Sequence, residues 1–171
     1  MTTKGIGIDG SADCDHRSAS WELIAETRAA SRARALTGRT LRAWRVSDPT
    51  DLDDIVLMVD ELITNAVVHG TGPVRLCLRL EGARLEGPCV IGEVSDGNPA
   101  APAAPQTAPH ILDWSEAGRG LLLVCALATE FGVRPDGAGK TVWFTRRLHP
   151  LDGPATLTVP PETAPFTASD N

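Results

Sequence analysis

Between residues 52 and 67 the apolar positions recur at i, i+3, i+4 and i+7. Leu52, Ile55, Val56, Val59, Leu62, Ile63, Ala66 and Val67 therefore fall on one stripe of a helix. Thr50 with Asp53 three residues on resembles a capping box, and Gly70 stands where a left-handed stop belongs. The spacing thus predicts a helix over 53–70. After it, strict alternation over 74–80 predicts a half-buried strand, and 89–95, beyond a Gly- and Pro-bearing turn, predicts its antiparallel neighbour. Before it, the Ala- and Arg-rich stretch 27–44 favours helix by propensity. Its stripe of Ala30, Ala33, Leu36, Leu41 and Trp44 is imperfect, with Gly38 as a break or bend. Residues 21–25 read as a short edge strand. Gly118-Arg119-Gly120 opens a second helix over 121–131, stopped by Gly132. A strand at 133–134, a turn over 135–139 and a strand over 140–145 complete the pattern.

Strands in runs, with helices that would share one face, predict an α+β two-layer sandwich with a mainly antiparallel sheet. One domain is expected from about 19 to 148, between a loose segment 1–18 and a disordered Pro-rich tail 149–171. Residues 99–117 carry Pro99, Pro102, Pro105 and Pro109 among alanines and have no period. Such a stretch inside a compact domain is a functional lid or disordered, seldom a neutral connector.

Composition narrows the partners. A chain of 171 residues is long enough for one real core, and 42% hydrophobic with 22% charged residues places it among soluble globular proteins. A net charge of −6 argues against nucleic acid as the main partner. It leaves nucleotides open, because local amides and metal hold them. Cys14, Cys77, Cys89 and Cys125 form no C-x-x-C pair, which speaks against zinc. No N-terminal secretion signal is recognisable and no apolar run approaches a membrane span, so a cytoplasmic protein with reduced thiols is expected.

The face of the central helix away from its stripe carries the first candidate chemistry. Glu61 and Asn65 stand one turn apart there, beside Leu57, Met58 and Val68. A carboxylate can orient or deprotonate a nucleophile, and a carboxamide oxygen can coordinate a hard cation. An ordinary solvated face or a dimer seam would also contain such a pair. Asp96, at a strand end before Gly97, would accept from an exocyclic amine of a flat ligand, or simply make a turn. Gly118-Arg119-Gly120 before a helix is an anion site in waiting, though many helices start with glycine. Gly137-Ala138-Gly139-Lys140-Thr141 is not a phosphate-binding P-loop: Arg134 occupies the first glycine position, and a strand rather than a helix follows. Thr141 remains a hydrogen-bonding candidate beside Asp96. His69 in a last helical turn suits the helix dipole, and Arg119 reads equally as a phosphate ligand or a solvated lid residue.

In order, these segments resemble a known set. Residues 61–70 are similar to the N box of GHKL ATP-binding domains, 94–99 to the G1 box, 118–124 to the G2 box, and 139–144 to the final Gly-x-Thr strand. The branch resembled is the RsbW-type anti-sigma factor kinases and their stand-alone bacterial relatives, over about 25–147. The resemblance implies a Bergerat ATP-binding sandwich with residues 99–117 as ATP lid. It implies that Asn65 coordinates magnesium on the ATP phosphates and that Glu61 is the general base. Asp96 would bind the adenine amine with support from Thr141, and Gly97 and Asn98 would flank it. Gly118, Arg119, Gly120 and Leu121 would lie at the phosphates. One departure stands out: the usual Asp-x-Gly of the G1 box is Asp96-Gly97-Asn98 here.

Two functions follow from the resemblance. One is a serine/threonine kinase and anti-sigma factor that phosphorylates a STAS-domain antagonist, with a sigma factor as further partner and a homodimer as its assembly. The other is an ATP-sensing module without significant transfer activity that switches partners with nucleotide state. The nucleotide-binding residues are common to both, and Glu61 tilts the balance to the kinase. A histidine kinase fragment is discounted, because the residues before the central helix hold only His16 and no phosphoacceptor hairpin. No direct nucleic-acid or membrane partner is expected.

Overall fold

The computed structural model of the chain describes residues 16–83, 87–99 and 119–149. The expected tail beyond His149, Gly118, and the expected lid after Pro99 lie outside the described residues. Among the described residues eight elements follow in order: β1 (Arg17–Leu23), α1 (Ala29–Ala43), α2 (Pro49–His69), β2 (Val74–Ala83), β3 (Gly87–Asp96), α3 (Arg119–Leu127), β4 (Glu130–Asp136) and β5 (Gly139–Arg147). The five strands form one sheet in the order β1-β2-β3-β5-β4, every neighbour antiparallel. The expected α+β sandwich is the fold observed.

The helix α2 organises the packing. It lies on the sheet and carries α1 and α3 on its flanks. Being surrounded, it buries more than one stripe: Met58, expected on the polar side, is fully buried with Ile55, Val59, Leu62 and Ile63. It also starts earlier than the capping-box reading allows. Asp48 is the N-cap, its side chain accepting from the Asp51 N–H at 3.0 Å, and Pro49 opens the first turn. At the other end Gly70 is extended, with φ −84 and ψ −178, and not left-handed. Its glycine is required sterically, since a Cβ there would meet the Ala66 carbonyl and stand 2.8 Å from Asp96 Cγ.

Helix α1 runs through Gly38 without a break, because Ala33, Thr37, Gly38 and Leu41 form its buried face and small residues allow close approach to α2. β1 begins at Arg17 and ends at Leu23, so the edge strand lies earlier than expected. The helix expected over 121–131 ends at Leu127. Phe131 and Gly132 belong instead to β4, where Phe131 and Val133 join the core. Gly132 is no helix stop: it seats the Trp143 indole of β5, which a Cβ would approach to 2.6 Å.

Residue alternation gives the sheet two unlike faces. The inner face puts Val74, Leu76, Leu78, Val90, Val94 and Phe144 under the helices. Each such side chain contributes about 1.5–3 kcal/mol by leaving water. The outer face carries polar groups, among them Glu93, gripped by Arg79 at 3.0 and 3.2 Å and by Arg134 at 2.7 Å. Burial pushes the Glu93 carboxyl up, but the hydrogen bonds from Arg134 and Arg79 outweigh it and hold the group below its ordinary 4.5. Among the described residues, no helix is long and apolar enough to cross a membrane.

Candidate functional site

Four elements converge at the C-terminal half of α2. Glu61 and Asn65 are partly exposed on the face that also carries Leu57 and Val68, so this side is apolar as well as polar. The first turn of α3 rests on Glu61: a Cβ at Gly120 would collide with the Glu61 carboxylate, and Leu122 of α3 adds another exposed apolar side chain. At Gly120 the amide end of a helix meets the Glu61 carboxylate. Such an end favours anions. Glu61 and Asn65 contribute oxygen donors, which suit a hard divalent cation, and the helix end suits the phosphates that such a cation accompanies.

Asp96 closes the other side. It ends β3, and its side chain is only 2% exposed, packed against Gly70 of the turn after α2. Its Oδ1 accepts from the Asn98 N–H at 2.8 Å, and Lys140 Nζ stands 3.3 Å from both oxygens. The Gly97 N–H donates to the Thr71 carbonyl at 2.7 Å, and Asn98 Nδ2 donates to the His69 carbonyl at 2.6 Å. These bonds tie the loop after β3 to the loop after α2. Gly139 lets β5 start against Asp96, since a Cβ there would collide with the Asp96 carbonyl.

The structure separates Thr141 from Asp96. In the β3–β5 ladder Thr141 faces Ser95, and Asp96 faces Lys140. Thr141 Oγ1 lies 2.7 Å from Ser95 Oγ and donates to Asp136 Oδ2 at 3.0 Å, on the outer sheet face. The expected support for Asp96 is displaced by one residue, and one residue in a strand changes the face. Leu121 has its side chain buried in the core. Arg119 opens α3. His69 is exposed, and it is the main-chain carbonyl that is engaged.

The sequence reading placed Lys140 in the strand over 140–145 and gave it no role; the signal available was its alternation with Val142 and Phe144, both core. It also passed over a second buried carboxylate at the opposite end of α2. Asp51 is completely buried, takes Arg146 at 3.3 and 3.4 Å, and accepts from the His149 main chain at 2.7 Å, with His149 Nδ1 at 2.8 Å. Asp48, Asp51 and His149 stand close enough to share a cation. The Asp51 oxygens are already occupied by protein donors, so this cluster latches β5 to α2.

Comparison with known proteins agrees with this architecture. The sequence model of the family described as the histidine kinase-like ATPase domain matches residues 23–146. Among solved structures, the chain is similar to the RsbU and RsbW domains of Rv1364c from Mycobacterium tuberculosis. The TM-score is 0.52 and the identity 24%, covering 77% of this chain and 32% of the other. The chain therefore spans about a third of that protein, and the likeness is one of fold. A search of curated proteins found no match.

Proposed function

Because the chain belongs to the histidine kinase-like ATPase domain family, whose fold implies ATP binding, we propose that it is an ATP- and magnesium-dependent serine/threonine protein kinase of the RsbW type. The observation that carries this reading is the seating of the α3 N-terminus on Glu61, with Asn65 one turn beyond. Asn65 would hold magnesium, which when bound supplies charge neutralisation at the phosphates. Glu61 would accept the proton of an incoming serine or threonine hydroxyl. Asp96 would take the amine of the adenine base. Gly118, Arg119, Gly120 and the main chain of Leu121 would lie along the phosphates.

The substrate in this reading is a STAS-domain antagonist and the competing partner a sigma factor, in a cytoplasmic and homodimeric protein. Calorimetry with magnesium-ATP tests the nucleotide site: Asn65→Ala and Asp96→Asn should each weaken binding. Transfer of labelled phosphate to a panel of STAS-domain proteins tests the kinase. Glu61→Gln should abolish transfer and leave ATP binding in place. Binding without transfer in the wild type would replace the kinase with an ATP-sensing module that switches partners.

A further inference from the structure

Lys140 is a buried cation that the proposed chemistry does not use. Its side chain is 9% exposed and that of its partner Asp96 is 2% exposed. Taking two charges out of water is costly, and replacing such a pair with apolar residues is often neutral or stabilising. Fold stability therefore gives little reason for an ammonium here. The pair is also loose: both Nζ–Oδ distances are 3.3 Å, against roughly 2.7–2.9 Å for a tight charge-assisted bond. Asp96 has acceptor capacity beyond Asn98 and Lys140, and an ammonium carries three N–H groups. Both side chains lie on the inner sheet face at its α2 C-terminal end, the side on which Gly70 packs.

We infer that Lys140 and Asp96 together read the base, the carboxylate accepting from an exocyclic amine and the ammonium donating to the adjacent unprotonated ring nitrogen. Adenine presents that order of groups on its Watson–Crick edge, the N6 amine beside N1. The inference rests on the nucleotide site proposed above and adds a specificity residue to it. Before the base arrives the two side chains satisfy each other, so neither charge is left buried alone. When it arrives, each gains a neutral partner while the ion pair persists.

Two ATP analogues remove one partner each: purine riboside triphosphate lacks the amine, and 1-deaza-ATP lacks the ring acceptor. On the wild-type protein, calorimetry should find each bound about 10- to 100-fold more weakly than ATP, the size expected for a hydrogen bond to a charged group. In Lys140→Met the penalty for 1-deaza-ATP should disappear while that for the missing amine remains. Lys140→Gln, which keeps an N–H donor, should restore part of it. A purely structural lysine would not move this discrimination. Wild-type protein that binds 1-deaza-ATP as tightly as ATP overturns the inference alone, whether or not the variants fold. Wild-type protein that binds neither ATP nor its analogues overturns the nucleotide site itself, and the inference with it.

Discussion

Strand β5 sets a cation at each end of the same sheet face, Lys140 at the start and Arg146 near the finish, with Val142 and Phe144 between them. Each meets a buried aspartate, and there the likeness ends. Asp51 is enclosed by Arg146 and His149, with Asp54 taking a second contact from Arg146 at 2.8 Å. Asp96 has one short bond, to the Asn98 N–H, and a long pair with Lys140. The Asp51 end is bordered by the helix cap and the last strand, the Asp96 end by glycines and half-exposed helix face. Asp51, with donors from Arg146 and from both the main chain and ring of His149, is the more fully engaged carboxylate and is fitted to hold structure. One with capacity left can meet a ligand.

The comparison predicts opposite signatures. Asp51→Ala should be the most costly change, about 3 kcal/mol, because it takes the buried carboxylate from the His149 N–H and ring and from Arg146, which keeps only Asp54 as an ion-pair partner. Urea unfolding would measure this, and the folded fraction should bind magnesium-ATP unchanged. A loss of ATP affinity in folded protein would erase the distinction between the two ends. Asp96→Asn should do the reverse. Calorimetry should show about 2–3 kcal/mol of lost affinity, roughly 30- to 150-fold, with a smaller loss of stability.

Glu93 on the outer face is the control, a gripped carboxylate far from either end of α2. Glu93→Gln should cost about 1–2 kcal/mol near neutrality. Because the folded value lies below 4.5, this stabilisation is complete above that pH and fades as pH falls through the folded value. Urea midpoints of variant and wild type should therefore converge on acidification. Asp48→Ala should be the mildest of the series, a frayed first turn of α2. The hydrogen bond from the Asp51 N–H holds Asp48 below its ordinary 3.8, so this difference too should vanish in acid, followed by circular dichroism.

Local pattern determined much of this protein. The period of α2, the alternation of β2 and β3 and the glycines around Asp96 and α3 are short-range signals. They sufficed for the sandwich and for Glu61, Asn65 and Asp96 as candidates. Apart from the start of α2, where a local cap at Asp48 was missed, much of what failed depended on a neighbour distant in the chain. Phe131 entered a strand because β5 was there to pair with it, and Met58 was buried because α2 has packing partners on more than one side. Gly70 and Gly132 were required by the side chains of Asp96 and Trp143, not by their own dihedral angles. Register decided the rest: a shift of one residue between β3 and β5 puts Lys140 rather than Thr141 against Asp96. A sequence carries the two-residue period of each strand, but which face meets which partner is settled only when the strands pair and α2 covers one side.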